Sequence, residues 1–184
     1  KNNLRVLDML NVKYIIDINE NGNIELKINE DVMGSAWFVD EVQKVADSNQ
    51  ELLGLSSIDY KKTCLSTNLN NKTYNDSSKN YIEIVDKRAN QITYKVFSND
   101  TGFIVFSEAF YKKGWVAKIN GEITNHHKVN YLLRGLEVDK GEHEIVFTFE
   151  PNVIKTGTFL MASSNILLLI LVFFYFRNLI KNVR

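Results

Sequence analysis

Apolar residues recur in short, evenly spaced runs through the second half of the chain, from Tyr81 to Phe149. In the last run, Ile145, Phe147 and Phe149 fall at alternate positions, which is the period of a strand with one buried face. Turn residues separate the runs, and Asn120-Gly121 is typical of a two-residue hairpin turn, because both residues tolerate positive φ. This pattern predicts a mainly β, antiparallel β-sandwich or jelly-roll-like domain.

Residues 1–80 are less regular, but they also predict short elements. The segments NVKYIIDI and NIELKI predict a hairpin, and SAWFVDEVQKVA predicts two short strands. Ser48 and Glu51 have the spacing of a capping box, which predicts a short helical insertion, and a second helical turn is expected from Ser57. The polar stretch from Ser66 to Asn80 has no apolar period and predicts a flexible loop.

The pattern changes completely near the C-terminus. Residues 156–176, TGTFLMASSNILLLILVFFYF, contain no charged side chain. As a helix they would be roughly 31 Å long, about the thickness of the hydrocarbon core of a bilayer. A buried core helix of a soluble protein is the alternative, but such a helix normally keeps a polar face. We therefore expect one C-terminal transmembrane helix, with the lipid bilayer as a partner.

Charges beside this segment predict its orientation. Arg177, Lys181 and Arg184 follow the span, whereas Lys155 alone immediately precedes it. Cationic flanks tend to stay in the cytoplasm, so the tail is expected on the cytoplasmic side of the membrane and the main domain on the outer side. The predicted organisation is a β and short-helix part (1–80), sandwich strands (81–153), a transmembrane helix (154–176) and a cytoplasmic tail (177–184).

Composition excludes one class of partner. The formal net charge is zero, and the first 154 residues carry 18 basic and 22 acidic groups. This acidic part shows no basic surface of the kind that binds nucleic acid, so we expect no nucleic-acid partner. The single cysteine, Cys64, cannot form an intramolecular disulfide and is expected to be a small buried apolar residue. Because the chain begins within a pattern and without Met, we expect it to be the C-terminal piece of a longer protein.

Motifs of catalysis and metal binding do not stand out. His126 and His127 are the only paired histidines, and neighbours on a strand point to opposite faces, so one metal ion would not suit both. Nucleophile elbows, phosphate-binding glycine loops and HExxH are missing from the sequence. We therefore predict no catalytic residue, no metal and no cofactor in this chain.

An aromatic cluster around Trp115 is the main candidate for binding. Trp115, Ala117 and Ile119 would share one face of a strand, and Tyr111 lies shortly before them. Trp115 either packs inward in the hairpin core or forms, with Tyr111 or Phe110, a flat platform for a sugar ring. Arg134 is expected to be half-buried, which requires a carboxylate or carbonyl partner, and both an ion pair and ligand binding fit its position.

The segment from Ser107 to Pro151 resembles the end of bacterial YfhO-family membrane proteins. That family shows an aromatic-x-x-Gly-Trp element, an Asn-Gly turn, Asn-Tyr-x-x-Arg-Gly and Gly-x-His, and LDMLNVKYII and GSAWFVDEVQKV resemble its preceding segment. Lys113 stands where the family often has proline. The resembling residues are Tyr111, Gly114, Trp115, Asn120, Gly121, Asn130, Tyr131, Arg134, Gly135, Gly141, His143, Glu150 and Pro151.

The resemblance implies a relationship to GT-C glycosyltransferases, which use polyprenyl-phosphate-linked sugars, and a role on cell-envelope polymers. Catalytic acids of that superfamily lie in an early outer loop, so this chain would hold none of them. The candidate ligand-binding residues are Tyr111, Trp115, Asn130 and Arg134. The resemblance also implies a bacterial cytoplasmic membrane as the location, with carbohydrate or a lipid-linked sugar as a further partner. Three functions remain open: a module that positions an acceptor or closes over the active site, a structural module docked on the remaining transmembrane helices, and a free-standing single-span binding protein.

Overall fold

The computed structural model describes residues 4–19, 22–75 and 79–182. Residues 76–78 of the predicted loop, and Arg184 of the predicted tail, lie outside the described residues. The helices are α1 (Leu4–Met9), α2 (Ser48–Gly54) and α3 (Asn152–Asn182). The strands are β1 (Tyr14–Ile18), β2 (Ile24–Ile28), β3 (Ala36–Val39), β4 (Glu41–Lys44), β5 (Thr63–Ser66), β6 (Lys72–Thr73), β7 (Tyr81–Arg88), β8 (Gln91–Ser98), β9 (Gly102–Ala109), β10 (Trp115–Ile119), β11 (Glu122–Thr124), β12 (His127–Val129), β13 (Leu133–Val138) and β14 (Gly141–Phe149).

Two antiparallel sheets form the predicted sandwich. The first has the strand order β11-β10-β14-β8-β7, and the second has the order β12-β13-β9-β3. Alternate residues of the facing strands fill the space between the sheets, with the rings of Tyr94, Phe106 and Phe147 in edge-to-face contact near its centre. The mainly β, antiparallel sandwich that the sequence predicts is confirmed.

The second sheet also buries its other face. There, Phe103 and Val105 pack with Trp37, Cys64 and Leu65 in a second apolar core, which α1, α2 and a three-stranded sheet cover. Within that small sheet β4 pairs with β5 in parallel and with β6 antiparallel. Because β3 pairs with β9, the segments 1–80 and 81–153 share one sheet.

Three local predictions for the first half need correction. The N-cap of α2 is Asp47, whose carboxylate accepts a hydrogen bond from the Gln50 amide, so the prediction that Ser48 caps this helix is wrong. Glu51 does not close a capping box; its buried carboxylate lies 3.0 Å from the Lys128 ammonium. No helix begins at Ser57 within the described chain, and the predicted loop contains the short strand β6.

The predicted N-terminal hairpin is confirmed as β1 and β2, which pair antiparallel from Tyr14↔Ile28 to Ile18↔Ile24. Its two strands form a separate sheet and pair with no other strand among the described residues. The other predicted hairpin is confirmed as well. Asn120 and Gly121 join β10 to β11 with φ values of 52° and 86°, which is the left-handed backbone that an Asn-Gly turn provides.

The helix α3 contains the predicted apolar segment. Its 31 residues span about 46 Å at ~1.5 Å per residue, longer than the roughly 30 Å hydrocarbon core of a bilayer. None of its most apolar part is buried against the rest of the described chain, which excludes a core helix within this chain. The hydroxyl groups of Ser163 and Ser164 donate to carbonyl groups four residues earlier, so the helix satisfies these polar groups internally. Residues Asn152–Asn178 are therefore long and apolar enough to cross a membrane.

Candidate functional site

The connection from β9 to β10 passes close to the point at which α3 begins. Trp115, the first residue of β10, pairs with Phe149, the last residue of β14, and the Glu150 amide donates to the Gly114 carbonyl over 2.7 Å. α3 starts at Asn152, two residues after Glu150. We call this end of the sandwich the α3 end. A side chain at Gly114 would collide with the rings of Tyr111 and Phe149, so only glycine allows this close approach.

Arg134 is the best-buried large side chain of the candidate site, with 1% of its surface exposed. Its guanidinium carbon lies 4.2 Å from the centre of the Trp115 ring and 5.0 Å from that of Phe147, and its Nε donates to the Ala109 carbonyl over 2.9 Å. Arg134 therefore links β13 to β9 within one sheet and to β10 and β14 of the other.

The structure gives Arg134 a carbonyl partner and does not give it the ion pair that was one of the two sequence expectations. Arg134 is fully buried rather than half-buried, and no carboxylate of the described residues lies within ion-pair distance of it. A carbonyl and two aromatic faces take the place of an ion pair. Burial lowers the pKa of the guanidinium, and the charge of nearby Glu108 opposes that shift. Lys87 neutralises Glu108 instead, at 2.9 Å.

Two more polar groups are buried in the same region. The ring of His126 lies 5.7 Å from Phe147 and 5.1 Å from Phe110, and Nε2 has no hydrogen-bond partner among the described residues. Burial, with the charge of Arg134 as the next cause, lowers the pKa of His126 to about 4. Burial also raises the pKa of Tyr94, whose hydroxyl group has no partner in the described part of the chain. At neutral pH Arg134 is thus a buried cation among neutral rings.

Asn130 lies in the second apolar core, away from the other candidates. Its side-chain oxygen accepts from the Leu65 amide over 2.8 Å, and its backbone amide donates to the Leu65 carbonyl over 2.8 Å. Its Nδ2 lies 3.4 Å from the Met9 sulfur, and its φ is 48°. Asn130 therefore fixes the turn between β12 and β13 to β5, and an asparagine tolerates the left-handed backbone that this turn adopts.

Tyr111 is the one exposed residue of the four candidates, with 51% of its surface accessible. Its ring lies 6.4 Å from that of Phe149, and Phe149 lies 5.2 Å from Trp115. Trp115 itself is partly buried and packs with Ala117 and Ile119 against the sandwich core. The structure thus connects Tyr111 to Trp115 through Phe149 and stacks Arg134 on Trp115. Asn130 lies elsewhere.

Phe147, Phe149 and His126 complete this cluster, although the sequence did not identify them as its members. The signal for Phe147 and Phe149 is the strand period that predicts their common face, but the period cannot show which strand lies opposite. His126 and His127 do face opposite sides of the second sheet, as predicted, since His127 borders a cleft beside Phe103 and Glu137. Within the described ranges, no three His, Cys, Asp or Glu side chains are grouped so that they could hold a metal ion.

The family model described as "Bacterial membrane protein YfhO" matches residues 57–161, more than half of the chain. "Uncharacterized protein YfhO" of Bacillus subtilis (strain 168) is 34% identical over 68 residues. That alignment covers 37% of this chain and 7% of the relative, so the chain spans only a small part of that protein's length. No solved structure matches the chain significantly. The matched residues include the whole aromatic cluster and the start of α3, and the chain belongs to the YfhO family of bacterial membrane proteins.

Proposed function

We propose that this chain is an extracytoplasmic structural module, anchored by α3 in the cytoplasmic membrane. The observation that carries this proposal is the use of the candidate ligand residues inside the fold. Arg134 is enclosed by Trp115 and Phe147, and Asn130 is bonded to Leu65. Side chains that hold two sheets together are not free to bind a sugar.

The chemistry of the whole protein is a further part of the proposal. The resemblance to GT-C enzymes supports a polyprenyl-phosphate-sugar-dependent glycosyltransferase that acts on cell-envelope polymers. In this proposal the catalytic acids belong to the membrane part of the protein, and the sandwich supports that part from outside. The cationic flank of α3, with Arg177 and Lys181, supports a cytoplasmic C-terminal end.

Tyr111 favours a second candidate function, the positioning of an acceptor or a lipid-linked sugar. Its exposed ring lies at the α3 end, close to where such a lipid-linked substrate would leave the bilayer. An accessible aromatic face suits the apolar face of a sugar ring. This function needs only Tyr111 and its neighbour Phe149, and it is compatible with an inward Trp115.

Trp115→Ala and Tyr111→Ala in the full-length protein separate the two functions. A structural module predicts that Trp115→Ala lowers the amount of folded protein in the membrane, and that transfer of sugar to the envelope polymer falls only in proportion. Tyr111→Ala should change neither quantity. The matched control is Lys140→Ala, at an exposed turn far from the α3 end.

Loss of transfer at normal abundance in Tyr111→Ala would favour acceptor positioning. The same result in Trp115→Ala would overturn the structural module. A full-length protein of normal abundance that transfers no sugar from any polyprenyl-phosphate donor would overturn the glycosyltransferase part alone.

A further inference from the structure

One face of the β1–β2 hairpin is entirely apolar and open. The paired residues Tyr14↔Ile28, Ile16↔Leu26 and Ile18↔Ile24 place six large side chains on this face, which we call the hairpin apolar face. Each of the six is between 57% and 77% exposed. Single exposed apolar residues are ordinary, but a contiguous group of this size marks a surface that contacts something else.

The opposite face of the hairpin is mainly polar. Lys27 lies 2.9 Å from Asp17 and 3.8 Å from Glu25, so the charges on this face largely neutralise one another. The hairpin is therefore an amphipathic ribbon, whose two faces suit two different surroundings. Charged residues that pair with one another on an exposed strand remain well hydrated, which fits a face turned toward water.

The hairpin is held to the sandwich only at its root. The Asn29 side chain donates to Asp8 over 2.8 Å and to the Val12 carbonyl over 3.1 Å, and the Met33 amide donates to the Asp8 carbonyl. Beyond Lys13 and Asn29, its strands pair only with each other within the described residues. It therefore projects from the body of the protein instead of lying along it.

The root lies at the α3 end of the sandwich. Shortly after Met33, Gly34 accepts from the Ser107 hydroxyl over 2.6 Å, and Ser35 accepts from the Ser107 amide over 2.9 Å. Ser107 is two residues before the end of β9, and the loop that follows β9 contains Gly114, whose carbonyl accepts from the Glu150 amide just before α3. The root of the hairpin thus lies at the α3 end, which α3 holds near the bilayer.

Other exposed residues at this end match a lipid interface. Tyr111 is followed by Lys112 and Lys113, all three exposed, within the loop that contacts Glu150, two residues before α3. At the hairpin root, the Lys13 ammonium lies 5.8 Å from the Tyr14 ring. Tyrosine and lysine are the residues that favour the boundary between headgroups and acyl chains.

We propose that the hairpin apolar face lies on the bilayer, in the leaflet from which α3 emerges toward the sandwich. A lipid surface needs no matching pocket, so a flat group of branched aliphatic side chains suits it. α3 holds the hairpin next to that surface permanently, so even a weak affinity keeps the face in place. The proposal holds for either orientation of α3, so its test is independent of the proposed function.

Depth-dependent quenching tests this contact. Leu26→Cys and Glu25→Cys are neighbours on β2 that point to opposite faces, and the native Cys64 is fully buried. Each variant is labelled with an environment-sensitive fluorophore, and the chain is reconstituted through α3 into vesicles of phosphatidylethanolamine and phosphatidylglycerol in equal parts. Lipids with a spin label at the headgroup boundary then act as quenchers. Unchanged emission of Trp37 and Trp115 verifies that both variants fold.

The expected result is several-fold stronger lipid quenching, with blue-shifted emission, for the label at Leu26→Cys than for the label at Glu25→Cys. Equal quenching at the two positions would overturn the proposal. So would strong protection of the Leu26→Cys label from both lipid quenchers and aqueous iodide, because that pattern identifies a protein partner. Disulfide pairing of Leu26→Cys between two chains at high dilution in lipid would identify a second copy as that partner.

Discussion

Arg134 shows how a buried cation is kept in this fold without a counter-ion at contact distance. The rings of Trp115 and Phe147 present their electron-rich faces to the guanidinium, and the Ala109 carbonyl accepts one of its hydrogen bonds. Its Nη1 has no partner among the described residues. The side chain therefore stabilises the fold mainly through packing and ring contacts, and less through hydrogen bonding.

Arg134→Ala should lower the free energy of unfolding by about 2–4 kcal/mol, because it leaves a cavity between the sheets and an unpaired carbonyl at Ala109. The control is Arg88→Ala, which removes an exposed arginine paired with Asp86 and should cost about 0–1 kcal/mol. Urea unfolding in detergent micelles, followed by circular dichroism in the β region, measures both. If Arg134→Ala lowers the free energy of unfolding no more than Arg88→Ala does, the contact of Arg134 with the two rings does not stabilise the fold.

His126 predicts a dependence of stability on pH. Its pKa is about 4 in the folded chain, against an ordinary value of 6.5, and burial is the main cause. Between these two values the unfolded chain binds a proton that the folded chain does not, so stability falls as the pH decreases from about 6.5 to about 4. Burial lowers the pKa of His127 as well, which acts in the same direction.

The carboxyl groups contribute at lower pH. Hydrogen bonds from Lys27 and Lys155 lower the pKa of Asp17 and Glu150, so their contributions are lost only as the pH falls through the lowered values. His126→Phe keeps the ring contacts but cannot bind a proton. It should flatten the decline of the melting temperature between pH 6.5 and pH 4.5. An equal decline in His126→Phe and the unmodified chain would contradict the assignment to His126.

At the scale of the elements, two neighbouring residues are candidates for the N-cap of α2. Ser48 and Glu51 match a capping-box pattern, yet Asp47 accepts the hydrogen bond from the Gln50 amide. Asp47→Ala should therefore lower the free energy of unfolding by about 1 kcal/mol. Ser48→Ala, the neighbouring control, should cost less than half as much. Chemical unfolding followed by the fluorescence of Trp37 measures both. A larger loss of unfolding free energy in Ser48→Ala than in Asp47→Ala would show that Ser48 is the cap.

The elements also show what a local pattern can and cannot predict. Strict alternation in β14 and the Asn120-Gly121 turn were sufficient to predict the strands and the hairpin, because both signals act within a few residues. Sequence could not show that β3 pairs with β9 or that β4 and β5 are parallel, because strand pairing depends on distant partners. β6 has two polar, exposed residues and therefore carries no apolar period at all.

The candidate site illustrates the same limit. The resemblance grouped Asn130 with Arg134, but their side chains lie in different cores, on opposite faces of the second sheet. Alternation along the strand predicts that Leu132, Arg134 and Leu136 share a face. Leu136 lies in the same core as Arg134, but Leu132 precedes β13 and is exposed. Alternation gives no information about a turn residue such as Asn130, whose direction depends on its positive φ. The burial of Arg134 between two rings could not be predicted from its own strand, because both rings belong to the opposite sheet.

In the whole molecule, the features that suit a lipid surface are at one end. The aromatic loop around Tyr111, the root of the β1–β2 hairpin and the first residues of α3 all lie at the α3 end. The turns at Asn120-Gly121 and Lys140-Gly141 lie at the other end of the first sheet. This polarity supports a domain that sits on the membrane surface with its α3 end against the bilayer.

Cysteine accessibility in intact bacterial cells tests the central claim, that α3 crosses the membrane and holds the sandwich outside. Lys140→Cys and Lys181→Cys place exposed thiols at the far end of the sandwich and at the end of α3, and Cys64 is buried. A membrane-impermeant maleimide should label Lys140→Cys in intact cells and Lys181→Cys only after the membrane is permeabilised. Labelling of Lys181→Cys in intact cells, or protection of Lys140→Cys until permeabilisation, would contradict that arrangement.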